Sequence, residues 1–180
     1  MLRSQILANY CKCSAAEIHI GHEAHGRPII NTPANLSSLS FNDSNCINAY
    51  ALAVCRTARV GLDIEADRSV PERAAWDAAF CENELNALRK LPGEQRATAA
   101  LRLWVRKEAI LKSWGTGLAF PPTQINLSAF VDADCTGNLI SVGKSPVTFR
   151  DLELPEGFIG CTALWNCSST IRTHLHGITV

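Results

Sequence analysis

Apolar and polar positions along the chain alternate in short segments whose period switches between helix and strand. Leu2, Ile6, Leu7 and Tyr10 recur at helical spacing with Arg3 on the opposite side. Residues 17–21 alternate as a strand, and Gly26-Arg27-Pro28 reads as a turn feeding a short strand at Ile29-Ile30. Residues 31–38, rich in Asn, Thr, Pro and Ser, predict a loop. Leu39-Ser40-Phe41-Asn42 alternates again. The polar run Asp43-Ser44-Asn45 then predicts a turn, from which residues 46–55 return as the second arm of a hairpin. Residues 56–59 form a polar connector, the expected boundary between an N-terminal half, 1–58, and a C-terminal half, 59–180. The abrupt start of the first helix leaves the N-terminal half short.

The C-terminal half opens on Val60-Gly61-Leu62-Asp63-Ile64-Glu65. Its period of two makes a strand with Asp63 and Glu65 on one face and Leu62 and Ile64 on the other. A loop at 67–70 and a short helix at 71–80, with Pro71 at its start, come next. A helix at 83–91 turns Leu85 and Leu88 inward and is broken by Pro92-Gly93. Residues 94–114 predict a long amphipathic helix stopped by Gly115. Beyond the turn at Pro121-Pro122, a segment at 124–127 precedes strands at 147–154, 157–165 and 170–178. Each half thus mixes helix with a small antiparallel sheet, an α+β chain.

Length and composition narrow this only a little. The 180 residues suit one domain or two small halves, and 47% hydrophobic with 19% charged residues is a globular balance. Lys plus Arg equals Asp plus Glu at 17 each, so no global field recruits nucleic acid or an anionic membrane, and any phosphate site must be local. No apolar run reaches the roughly 20 residues of a membrane span and no signal-peptide pattern opens the chain, so a cytoplasmic location is expected. Eight scattered cysteines lack the paired spacing of a zinc site and are read as reduced small hydrophobes. His19, His22 and His25 read as surface residues.

Candidate chemistry lies in two of these segments. On the long helix, Trp104, Glu108 and Lys112 follow one another at i, i+4 and i+8 on one face. That is either an ordinary Glu-Lys pair on a half-buried helix or the wall of a pocket. On the strand, Asp63 and Glu65 project side by side. Either they are solvated acids at a sheet edge, or a hard divalent cation such as Mg2+ relieves their repulsion, with Glu108 as a third oxygen donor. Arg27 is held in a loop, where it is solvated or takes a phosphate bidentately. Ser44 and Asn45 are presented by the predicted turn. Taken together these parts suit a metal-dependent phosphoryl or pyrophosphate chemistry.

In order and spacing, Phe41-Asn42-Asp43-Ser44-Asn45-Cys46, Gly61-Leu62-Asp63-Ile64-Glu65 and residues 104–118, which begin Trp104-Val105-Arg106-Lys107-Glu108-Ala109, resemble the motifs of the Sfp-type 4'-phosphopantetheinyl transferases. Gly26-Arg27-Pro28 is similar to that family's Gly-Lys-Pro turn, and Phe80 with Glu84 fits its pattern; the resemblance covers about residues 1–165. It implies two similar α/β halves related by a pseudo-twofold axis, with the active site in the cleft between them. It further implies coenzyme A as substrate, Mg2+ at its diphosphate, and transfer of the phosphopantetheine arm to a serine of an acyl or peptidyl carrier protein with release of 3',5'-ADP. By matching position, Asp63, Glu65 and Glu108 would ligate the metal. Glu108 would help deprotonate the incoming serine, and Lys112 would neutralise the leaving phosphate. Arg27, Ser44 and Asn45 would hold the nucleotide end and phosphates.

The chain departs from the pattern twice. Asn45 stands where the family has a histidine, and the family's N-terminal basic residues are missing, leaving Arg3 as a possible remnant; both departures imply weaker coenzyme A binding. The alternative expectation is a catalytically weakened relative that binds carrier protein or nucleotide without transfer. Two complete halves make a monomer the simpler expectation.

Overall fold

A computed structural model describes residues 2–33, 39–67, 75–142 and 145–167. The first helix, α1 (Leu2–Cys11), packs Leu7 and Ala8 inward against two antiparallel hairpins. These are β1 (His19–His22) with β2 (Pro28–Thr32), and β3 (Ser40–Cys46) with β4 (Ala49–Cys55). Ile18, Ile30, Leu39 and Phe41 close this smaller core.

The larger core lies under one long helix. A four-stranded antiparallel sheet runs in the order β5 (Arg59–Ala66), β8 (Phe158–Trp165), β7 (Ser145–Asp151), β6 (Thr136–Val142). Helix α4 (Gly93–Trp114) crosses it, burying Leu101, Leu103, Val105, Ala109, Ile110 and Leu111. Two lesser helices, α2 (Trp76–Ala79) and α3 (Glu82–Lys90), flank it, and Phe80 and Leu88 join the same core. The α+β class stands as expected. No helix of the described residues is long and apolar enough to cross a membrane.

Two backbone features fix α4 over β5. Gly115 closes the helix at φ 78°, its N–H donating to the carbonyls of Leu111 and Lys112. Gly61 lets the strand approach the helix backbone: a Cβ there would lie 2.0 Å from the Ala109 carbonyl oxygen and 2.4 Å from the Ser113 nitrogen. Residues 61, 63 and 65 alternate onto one face, so the packing of Gly61 turns Asp63 and Glu65 toward α4.

The smaller and the larger core meet along the free edge of β5. Its outward N–H groups find side chains instead of another strand: Val60 donates to Ser40 Oγ at 2.9 Å, Leu62 to Asn42 Oδ1 at 2.8 Å and Ile64 to Ser44 Oγ at 3.3 Å. An edge that would otherwise invite pairing is thereby closed by alternate polar residues of β3.

This seam explains one correction. Asp43-Ser44-Asn45 is not a turn but the middle of β3, and the chain reverses at 47–48. A polar run reads as a turn in isolation, yet here its one buried side chain, Ser44, is satisfied by the neighbouring edge. Strand β6 was also not foreseen, because only Ile140 and Val142 reach the core while the rest of it faces out. The helix expected at 71–80 is observed only as Trp76–Ala79, with 71–74 outside the described residues. The strand expected at 170–178 also lies outside them. The cysteines are free, as read, but only Cys135 and Cys161 are buried.

Candidate active site

Asp63 sits on β5 at 4% exposure, facing α4. Its Oδ1 accepts a hydrogen bond from Lys112 Nζ at 2.7 Å and one from Ser44 Oγ at 3.0 Å. Lys112 Nζ also lies 3.4 Å from Ser44 Oγ. Trp104, Glu108 and Lys112 are all half-buried on α4, the shared face that the helical spacing predicts.

Three carboxyls feel one another here. Burial pushes the Glu108 carboxyl up, and the charges of Asp63 and Glu65 add to it against the opposing pull of Lys112. Burial also raises Asp63, in spite of Lys112, Ser44 and the Ile64 N–H, and raises Glu65 with help from Asp63. The Cys46 thiol, which sequence reasoning did not single out, is raised by burial and by the same two strand acids, so it stands at the edge of this field. All three carboxyls therefore hold protons more readily than free ones.

Two oxygens in this group, Asp63 Oδ2 and Glu108 Oε1, are buried without any hydrogen-bond partner. Buried carboxylate oxygens are normally satisfied, and a pair left open beside mutually repelling charges is the donor chemistry a hard divalent cation takes. Asp63 and Glu108 fit such an ion through these oxygens. Glu65, half-buried at the outer end of β5, fits by charge more than by placement. Among the described residues, no three His, Cys, Asp or Glu side chains are close enough to hold a metal as they stand.

The remaining predicted site residues are placed differently. Arg27 is 6% exposed and bolts the seam: its guanidinium donates to the Lys112 carbonyl, to Ser40 Oγ at 2.8 Å and to the Val60 carbonyl at 2.9 Å. Burial, reinforced by nearby Arg59, brings its pKa down to about 10. In place of a loop cation awaiting phosphate, the structure shows a brace between β5 and the end of α4. Arg3 contacts Asp43, its Nη1 lying 3.3 and 3.4 Å from the two carboxylate oxygens. Asn45 is exposed, on the face of β3 opposite Ser44 and across the ladder from Tyr50.

Sequence reasoning missed that two cations next to Glu108 are buried. Arg106 and Lys107 are both 0% exposed. Arg106 forks onto Asp151 through Nε at 2.9 Å and Nη2 at 2.5 Å, and reaches the carbonyls of Phe130 and Ala133. Lys107 donates to Glu84 Oε2 at 2.5 Å and to the carbonyls of Ala79 and Pro122. The usable signal was the pairing of Phe80 with Glu84 in the recognised pattern, since both close around Lys107, whose Nζ lies 5.3 Å from the Phe80 ring centroid.

Residues 59–159, from the start of β5 into β8, match the model of the 4'-phosphopantetheinyl transferase superfamily. The chain is 34% identical over 120 residues to the 4'-phosphopantetheinyl transferase HetI of Nostoc sp., covering 66% of this chain and 50% of that protein. It is 27% identical over 133 residues to the 4'-phosphopantetheinyl transferase psf-1 of Bacillus pumilus, covering 74% and 51%. With gsp of Aneurinibacillus migulanus it shares 28% over 145 residues, covering 79% and 56%. The chain spans about half the length of these curated relatives.

Proposed function

Because the chain belongs to the 4'-phosphopantetheinyl transferase superfamily, we propose that it moves the phosphopantetheine arm of coenzyme A onto a serine of an acyl or peptidyl carrier protein, releasing 3',5'-ADP. The observation that carries this reading is the convergence of Asp63, Glu108 and Lys112 from a strand and a distant helix, with Asp63 Oδ2 and Glu108 Oε1 left without partners.

The chemistry needs a base for the serine and positive charge at the diphosphate. Glu108, its carboxyl raised by burial and so more basic than a free one, is suited to accept the serine proton. Lys112 ends in an ammonium only partly enclosed, with 27% side-chain exposure, so it can reach an entering phosphate oxygen while still anchored by Asp63. Charge that builds on the leaving phosphate strengthens that contact in the transition state, which accelerates the step. Asp63, Glu65 and Glu108 would hold a Mg2+. When bound, the ion supplies charge neutralisation at the diphosphate. Carrier protein and coenzyme A are accordingly the proposed partners, with a monomer acting in the cytoplasm.

A second reading, binding of carrier or nucleotide without transfer, draws on the engagement of Arg27 inside the seam and on an uncharged Asn45. One experiment separates the two. The purified chain is incubated with coenzyme A, Mg2+ and a panel of apo carrier proteins, and intact mass is recorded. A gain of one phosphopantetheine that disappears in Glu108→Gln supports transfer. Bound coenzyme A with no gain on any carrier supports the second reading.

A further inference from the structure

We propose that Ser44 is a positioning residue that gives the two oxygens of Asp63 different tasks, a reading that rests on the metal set of the proposed function. A serine hydroxyl has one proton to donate and two lone pairs to accept with. All three are engaged here. Ile64 N–H points at the oxygen from 3.3 Å and Lys112 Nζ from 3.4 Å, so both acceptor positions face donors. The hydroxyl proton is left to Asp63 Oδ1 at 3.0 Å.

The consequence falls on the carboxylate. Oδ1 receives both Ser44 and Lys112, and Oδ2 is left buried without a partner. Ile64 N–H belongs to the backbone of the strand that carries Asp63, so Ser44 ties the rotation of that side chain to its own strand. With Ser44 at 8% exposure and its bonding capacity filled, it has nothing left to offer a phosphate. It therefore acts on the metal ligand, not on the nucleotide.

Ser40 is the internal control. It accepts the same kind of seam hydrogen bond from Val60 N–H, and one from Arg27, with no contact to Asp63. The test measures Mn2+ binding to the purified chain by electron paramagnetic resonance and coenzyme A binding by calorimetry, in wild type, Ser44→Ala, Ser44→Thr and Ser40→Ala. Loss of an outer hydrogen bond to a metal ligand weakens the ion by about tenfold or more. Ser44→Ala is expected to show that loss with coenzyme A affinity in the absence of metal unchanged. Ser44→Thr, which keeps the hydroxyl, is expected to recover most of it, and Ser40→Ala to bind Mn2+ like wild type.

Equal weakening in Ser40→Ala and Ser44→Ala would mean that the seam had merely loosened, and would overturn the proposal. So would a Ser44→Ala protein that loses coenzyme A affinity and keeps its Mn2+. If the wild type binds Mn2+ and Ser44→Ala binds it equally, this inference alone fails. If the wild type binds none, the metal set of the proposed function fails and takes this inference with it.

Discussion

Helix α4 carries two kinds of charge within three consecutive residues. Arg106 and Lys107 are fully enclosed, and each nitrogen that can donate meets a carboxylate or a carbonyl. Glu108, the next residue, keeps an unpartnered oxygen, and the charge of Asp63 adds to burial in raising its carboxyl. The first pair braces the helix against the end of α2 at Ala79 and against the carbonyls of Pro122, Phe130 and Ala133. The second is held by that brace in a position it would not choose for itself. Satisfied buried charge supports the scaffold, and unsatisfied buried charge marks where a ligand is meant to complete the bonding.

Breaking the closed side should have the largest effect on stability. Lys107→Met leaves the Glu84 carboxylate at 0% exposure without its cation, a change that costs about 3–5 kcal/mol. Thermal unfolding followed by circular dichroism should show a fall of about 10 °C or more. A change of only a degree or two would show that the pair braces nothing.

Breaking the open side should move stability and activity in opposite directions. Glu108→Gln is expected to reduce transfer by at least about 100-fold while raising the unfolding midpoint at neutral pH by about 2–4 °C. The sign follows from linkage. The folded Glu108 carboxyl titrates above its ordinary value, so its favourable contribution is complete below the unfolded value and is lost as pH rises through the folded one. The gain from glutamine should therefore be present at neutral pH and vanish near about pH 4. Melting curves for both proteins across that range check it. A variant less stable than wild type at neutral pH would contradict the account of Glu108 as a strained carboxylate.

Moving the two sides apart is a gentler change. Gly61→Ala places a methyl against the Ala109 carbonyl and Ser113 nitrogen, so α4 must lift from β5 at a cost of about 2 kcal/mol. Denaturant unfolding should report that loss, and Mn2+ affinity should fall with it as Glu108 withdraws from Asp63. Unchanged Mn2+ binding in a destabilised variant would show that the site tolerates a looser helix. Asn45→His is expected to do least. On the exposed outer face of β3 it should tighten coenzyme A by about threefold at pH 6 and not at pH 8, since imidazole is charged only at the lower pH. Calorimetry at both values tests it.

What could be read from residue order was whatever depends on local spacing. The period of two in residues 60–65 places Asp63 and Glu65 together, and the i, i+4, i+8 spacing aligns Trp104, Glu108 and Lys112. Gly115 stops the helix where a left-handed residue is required. The long-range partners were not legible. Arg106 and Lys107 gave no local sign of burial because their acids and carbonyls lie 15–45 residues away along the chain. Ser44 read as a turn residue because the N–H that engages its hydroxyl belongs to Ile64, 20 residues away. Arg27 read as a solvated or phosphate-binding cation because the partners that bury it, Ser40, Val60 and Lys112, are distant along the chain. The chain by itself thus determined which side chains share a face, a matter of backbone geometry alone. Only the tertiary structure decided which of those charges were answered and which were left open, because a buried group's state depends on donors and acceptors that no local pattern records.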